Sequence, residues 1–303
     1  MSAKPSKAND KTFRRPGPML TLVRSFCRSW SARACLAVMS VIVLAAVFAP
    51  WIAPQNPYDL AQISMLDAML PPGSRSMSGM IYWLGTDGQG RDLLSAIIYG
   101  LGISLEVGVL TAIFAGIVGI TLGLLAAYRG GWVDAAIMRL VDLQFSFPAI
   151  LVALMLLAFM GKGIGNVVVA LVVVEWATYA RTARAAALVE RSKEYIEAAI
   201  CLAIPVHRIV YRHLLPNCLP SLIVIATIQI GRAIALEATL SFLGIGVPVT
   251  EPSLGLLISN GSNYMLAGKL WVSFWPGVAL LVTVVTINLI GDRLRDVLNP
   301  RSL

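Results

Sequence analysis

The chain has 303 residues, 57% of them hydrophobic and only 13% charged, with a net charge of +8. A soluble domain of this length would carry about a quarter charged residues. The positive excess would suit nucleic acid, but it is confined to the segments that separate long apolar runs, so no nucleic-acid partner is expected. Six runs approach membrane thickness. About 20 apolar residues cross the hydrocarbon, and lipid offers the backbone no hydrogen-bond partner, so such runs must be helical.

Residues 1–33 form a basic tail with Pro16 and Pro18 and eight cations: Lys4, Lys7, Lys11, Arg14, Arg15, Arg24, Arg28 and Arg33. It is expected to lie against anionic lipid or simply to set topology. Residues 34–53 form the first span. Its apolar core exceeds the roughly 7–15 residues of a signal peptide, and it ends in Ala49-Pro50-Trp51, which is no cleavage site, so it reads as an uncleaved anchor. Residues 54–100 form a long outer connection rich in Pro and Gly, expected to be turns and short irregular pieces.

This connection contains Leu84-Gly-Thr-Asp-Gly-Gln-Gly-Arg-Asp92. Its glycines are in the wrong order for a dinucleotide fingerprint. No phosphate-binding loop motif occurs anywhere, since Gly161-Lys162-Gly163 lacks both the upstream Gly and the hydroxyl residue. No ATP site is expected, so the energy source must lie on another polypeptide.

Residues 101–292 form the core. The second span, Val107–Ala127, carries Gly119 and Gly123, a spacing that lets helices approach closely, within this chain or between subunits. The short turn from Tyr128 to Asp134 makes spans two and three antiparallel neighbours. The third span is Leu143–Gly161, with Pro148 inside it. The fourth is Ile164–Ala180, with Glu175. Residues 181–217 form a polar loop. The fifth span is Cys218–Leu243, with Arg232 and Glu237. Residues 244–270 are a second outer connection, expected to hold a partial helix at the membrane surface. Trp271–Gly291 is the sixth span, and residues 293–303 form a second tail.

Basic residues share one side of this six-span chain: the N-terminal tail, Arg129, Arg139, Arg181, Arg184, Arg191, Lys193, Arg208, Arg212, Arg293, Arg295 and Arg301. The other side holds Arg75, Arg91, Lys162 and Lys269. Both termini and the 181–217 loop are therefore expected in the cytoplasm. Cys27, Cys35, Cys201 and Cys218 have neither metal-ligand nor redox spacing.

The 181–217 loop is the most informative stretch. Glu194, Glu197, Ala198, Ala199 and Ala203 favour a helix. Pro205 breaks it, and Pro216 is expected to end a second short helix. Small side chains at 198, 199 and 203 would let another surface approach. The simpler alternative is an amphipathic helix lying on the membrane. His207 and His213, the only histidines, are six apart and face different ways on a helix. No zinc site is expected, and no hydrolytic triad can be proposed from them.

This loop resembles the EAA loop of ABC importer permeases. Glu197-Ala198-Ala199 and Leu215-Pro216 fall at that pattern's spacing, with Ala203 where the family usually has Gly and His213 where it often has Ile. Other strings are similar to dipeptide/oligopeptide permeases: Leu84 to Ser95, Asp134 with Met138 to Asp142, Tyr179-Ala-Arg181, Arg212 to Asn217, Glu237 to Gly244, and Gly291 to Arg301. The chain is identified as a C-type subunit of that family, over residue 34 to the C-terminus.

The resemblance implies an all-α integral membrane protein with six transmembrane helices in the type I ABC importer permease fold (MetI-like), in a bacterial inner membrane. It implies a pore shared with a second homologous permease subunit, two ATP-binding ABC subunits, and a periplasmic substrate-binding protein. Docking on the ATPase would fall to Glu194, Glu197, Ala198, Ala199, Ala203, Pro205, His207, His213, Leu215 and Pro216. No catalytic residue, cofactor or metal is expected. Changing Ala203 to the usual Gly should be tolerated, at about 1 kcal/mol of helix stability.

Glu106, Asp142, Glu175, Arg232 and Glu237 lie in or beside apolar spans. Such charges face protein or water. Arg232 and Glu237 are separated by about 140° on a helix and should not pair. Both are candidates for contact with a zwitterionic peptide; the alternative is an internal lock between helices. Family resemblance points to di- or oligopeptides, with nickel or another small solute as alternatives. An ion-coupled secondary transporter would need repeated halves and broken helices around ion ligands, and no internal repeat is visible.

Overall fold

The computed structural model describes residue 26 and residues 29–59, 61–76 and 79–298. Most of the basic tail, including Cys27, and Arg301 therefore lie outside the described residues. The helices are α1 (Trp30–Val47), α2 (Ala49–Ile52), α3 (Leu93–Arg129), α4 (Gly131–Ser146), α5 (Ala149–Met160), α6 (Ile164–Arg191), α7 (Glu194–Cys201), α8 (Val206–Arg208), α9 (Leu215–Phe242), α10 (Leu254–Ser262) and α11 (Trp271–Leu298). Among the described residues, strands occur only as the two-residue antiparallel pair β1 (Ser74–Arg75) and β2 (Ile81–Tyr82).

Five helices are long and apolar enough to cross a membrane, and α4 with α5, a pair bent by 91°, makes a sixth crossing if the two are counted as one span. The third span is thus not one straight helix over Leu143–Gly161. Pro148 cannot donate to the helix ladder, and it pushes Phe147 to extended geometry, φ −105° and ψ 140°. The 12 residues of α5 reach only about 18 Å, too short to cross alone.

Other boundaries also move. The first span starts earlier, at Trp30, inside the expected tail. It breaks at Phe48, beyond which Pro50 sits in the first turn of α2. The second begins at Leu93, and the fourth runs on to Arg191, well past Ala180. The sixth continues to Leu298. Apolar windows mark the lipid-facing length of a helix, and the polar turns at either end lie outside their reach.

The heart of the bundle is α3 against α6, with α9 laid across both and α11 behind it. Gly119 and Gly123 serve this packing inside the chain. A Cβ at 119 would stand 2.5 Å from Tyr179 Cβ, and one at 123 would stand 2.8 Å from Ala183 Cβ. The partial helix expected in the second outer connection is α10, which packs on the bundle: Leu254, Leu256 and Leu257 are buried, and Ser253 Oγ caps it by accepting from Leu256 N at 3.2 Å. By contrast α1 is mostly exposed and touches α3 and α11.

Residues 54–92 form a compact cap over the start of α3. Buried Arg91 pairs with buried Asp87 at 2.7 Å. Gln55 Oε1 accepts from Asp92 N at 2.6 Å, and Gln55 Nε2 donates to Gln62 O at 2.7 Å. Asp67 Oδ2 accepts from Tyr82 Oη at 3.1 Å and from Ser76 Oγ at 2.7 Å. Asp92 caps α3 by accepting from Ser95 N at 2.8 Å. The glycine-rich string therefore builds a tight turn, in which Gly90 at φ +79° passes so close to Ser64 O that no Cβ would fit.

Candidate functional site

At the other end of α3 the chain makes an elbow. Helix α7 buries Ile196 and Ala199, three apart on one face, against Leu124 and Ala127 of α3, Ala183 and Ala187 of α6, and Ile209 and Leu214 beyond the bend. Three alanines on the supporting helices, Ala127, Ala183 and Ala187, let α7 approach closely. Glu194 and Glu197 occupy its first turn, where the positive end of the helix favours them. Both are exposed and make no ion pair among the described residues.

The bend is a Schellman motif. Ile204 N donates to Ala199 O at 3.2 Å, and Ala203 N donates to Ile200 O at 2.9 Å. Such a motif needs a left-handed residue just past the helix. Ala203 fills that place at φ +52°. This explains why the family pattern has Gly here, and it corrects the expectation that Ala203 is a helical residue. Ile204 closes the turn by packing onto the same apolar cluster as Ala199.

The second arm also differs from expectation. Pro205 does break the helix, but Pro216 ends nothing. The chain passes from α8 through a π-helical stretch, Ile209–Leu214, directly into α9. Leu215 N reaches back five residues to Val210 O, and Pro216, which has no N–H, then sits in the first turn of α9. The arm is therefore continuous with the fifth span.

Of the ten docking candidates, Glu194, Glu197, Ala198, Ala203, Pro205, His207 and Pro216 are exposed; His213 and Leu215 are half-buried. Ala199 points inward and belongs to the base. Leu202, 75% exposed, and Ile200 and Val206, about half exposed, add an apolar rim beside Glu197 that the motif did not mark.

Sequence reasoning also missed the clamps. Tyr195 Oη donates to Glu190 Oε2 at 2.9 Å and accepts from Asn217 Nδ2 at 3.1 Å, tying α7 to α6 and α9. Partial burial, then the Glu190 carboxylate, push the phenol up to about 12. Arg191 Nη1 donates to Ala127 O at 2.7 Å. Arg184 grips Asp134 with two bonds, Nε at 2.5 Å and Nη2 at 2.6 Å, while Arg181 Nη2 donates to Asp142 Oδ1 at 2.7 Å. These pairs staple α4 to α6. The strings holding Asp134, Asp142 and Arg181 stood out in the sequence, but nothing local paired them.

The intramembrane charges separate cleanly. Glu237 is fully buried and accepts from Ser104 Oγ at 3.1 Å and Ser241 Oγ at 2.8 Å, so it joins α9 to α3. Arg232 does not pair with it. Its Nε stands 3.2 Å from Glu175 Oε1, and Gln229 Nε2 donates to the other oxygen of Glu175.

The pattern of the family described as binding-protein-dependent transport system inner membrane component matches residues 119–303, and that of the N-terminal TM domain of oligopeptide transport permease C matches residues 18–72. The chain is 37% identical over 295 residues to the di/tripeptide transport system permease protein DppC of Pseudomonas aeruginosa, covering 97% of this chain and 96% of that one. It is 36% identical to the probable D,D-dipeptide transport system permease protein DdpC of Escherichia coli, covering 88% and 86% of the two chains. Its fold is similar to that of a chain in inward-facing conformations of the MetNI methionine ABC transporter, at a TM-score of 0.57 and 22% identity, covering 68% of this chain and 98% of that one. The chain is all-α and of the type I importer permease fold, and it belongs to the binding-protein-dependent transport system inner membrane component family.

Proposed function

We propose that this chain is the permease subunit of an ATP-driven importer of di- and oligopeptides, forming half of the pore beside a second homologous permease subunit. It lies in the bacterial inner membrane with both termini cytoplasmic. Two ATP-binding ABC subunits hydrolyse ATP below it, a periplasmic binding protein delivers peptide above the cap, and the chain itself makes or breaks no covalent bond. Relatives named for dipeptide and tripeptide transport support the peptide assignment.

The observation that carries this reading is the elbow. It presents Glu197, Ala198, Leu202 and Ala203 outward from a base that is buried against α3, α6 and α9 and clamped by Tyr195 to the last two. A protrusion so anchored transmits displacement, whereas a slack loop would absorb it. When ATP draws the ATPases together, the elbow carries that motion into α9 and α6 and opens the pore toward the loaded binding protein. Hydrolysis resets it.

Glu197→Arg and Ala203→Trp test the docking. Both variants should reach the membrane, and both should lose peptide uptake and bound ATPase; uptake at the parental rate in both would remove the docking role. Reporter fusions should place residue 200 in the cytoplasm and residue 75 outside. Deleting the gene should abolish growth on a peptide as sole source of a required amino acid while the free amino acid is still taken up. Intact peptide uptake with lost nickel or sugar uptake would leave an importer and overturn the peptide.

A further inference from the structure

One face of α9 carries an open track. Val224, Ile228, Arg232, Ala235 and Thr239 recur at three- and four-residue steps and so lie along a single stripe. Toward the elbow, Val224 and Ile228 line a cleft of about 480 Å³, closed by Thr182 of α6 and Arg295 of α11. Toward the cap, Ala235 and Thr239 line a second, mostly apolar cleft of about 410 Å³ against α11. Arg232 stands on the stripe between the two. Glu237, the other charged residue of α9, is buried on a different side.

The Glu175–Arg232 pair is lopsided. The carboxylate is 1% exposed and the guanidinium side chain 47% exposed. A cation within an apolar span costs several kcal/mol, so it is kept out of lipid and aimed at protein or water. A lock between helices needs neither partner open, and it could be replaced by apolar side chains without loss. Here the anion is fixed from behind by Gln229, and the cation reaches forward from it onto the track.

We propose that Arg232 is a transient binding site for the C-terminal carboxylate of a peptide in transit along this face of α9, an inference that rests on the peptide-importer reading above. Guanidinium meets carboxylate through parallel N–H donors, a geometry that recognises the terminus common to all peptides and ignores their side chains. Glu175 neutralises the cation between passages and competes for it when a peptide is bound. That competition keeps the site weak enough to release its occupant, as any site within a conduction path must.

The test uses the complete importer in proteoliposomes with its binding protein, a labelled dipeptide and internal ATP. Arg232→Gln should lower uptake about tenfold to hundredfold, the loss of one charge-assisted contact. Glu175→Gln, which keeps the cation, should lower it less. The double variant Arg232→Gln, Glu175→Gln leaves no uncompensated buried charge and decides the matter: it should assemble with the second permease subunit and remain as slow as Arg232→Gln. Uptake restored in the double variant would show that the pair only neutralises itself. Failure of the double variant to assemble would place Arg232 in a subunit contact, and a loss in Glu175→Gln equal to that in Arg232→Gln would make the pair a lock. Each of these overturns the proposal. A parental complex that carries no peptide would instead overturn the peptide-importer reading and this site with it.

Discussion

The cap and the elbow close opposite ends of α3 by opposite means. The cap has almost no regular structure, and its interior is polar: Arg91, Asp87, Asp67, Gln55 and Asp92 are all buried and bonded to one another, to backbone or, for Asp67, to the Ser76 and Tyr82 hydroxyls. The elbow's interior is apolar, an arrangement of alanine, leucine and isoleucine with hydrogen-bonded clamps only at its margin. Hydrogen bonds are directional and specify one geometry; apolar burial is non-directional. The end proposed to receive a push is thus the end whose contacts tolerate small rotations, and the end proposed to receive a binding protein is held in one shape.

The largest break in this contrast should come from Arg91→Ala. It strands buried Asp87 without its partner, at a cost of about 3–5 kcal/mol, and should appear as a marked fall in the thermal unfolding midpoint of the detergent-solubilised chain. A midpoint unmoved by this change would mean that the cap's polar interior does not hold it. Next, Ile196→Ala removes the central anchor of α7. A cost of about 2–4 kcal/mol is expected, read as faster amide exchange in α7 and weaker retention of the ATPase, with the cap unchanged.

Ala203→Gly should act in the opposite direction. It relieves a left-handed alanine and should stabilise the elbow by about 1 kcal/mol, measured as slower exchange of the amides of Ala203 and Ile204. A destabilised elbow would show that the Schellman turn does not govern the bend.

The smallest effect concerns Asp92. Burial raises its carboxyl above the ordinary 3.8, against the lowering pull of Ser95. The folded chain then holds that proton more tightly than the unfolded chain, so this group's contribution to stability declines as pH rises from 3.8 through the raised folded value. Asn caps about as well as Asp, so Asp92→Asn should change neutral-pH stability by only a few tenths of a kcal/mol while flattening that part of the stability–pH curve. An unchanged curve would count against a titrating Asp92.

Much of this was legible beforehand, for local reasons. Apolar runs announce membrane helices because lipid leaves the backbone no alternative. The spacing of Glu197-Ala198-Ala199 to Leu215-Pro216 marked the elbow because a bend at a fixed distance needs residues at fixed positions. What escaped was non-local or conformational. Asp134 and Arg184 lie 50 positions apart, Asp142 and Arg181 39 apart, and no periodicity connects them. Pro148 was visible, but not that the break would turn the chain by 91°. Pro216 looked like a terminator because proline usually is one; the preceding π turn lets it open a helix instead. Ala203 was the subtlest case: its helix propensity pointed one way, and the turn's demand for positive φ overrode it.

One consequence follows from the length of α3. Its 37 residues make a rod of about 55 Å whose first turn is capped within residues 54–92 and whose last turns underlie α7. A helix scarcely compresses along its axis, so this one works as a lever arm. Turned by about 10° about its middle, it would carry its two ends about 5 Å in opposite directions. The same tilt that shifts the floor beneath the elbow must therefore swing the cap, and no separate messenger is needed for one face of the membrane to register what happens at the other.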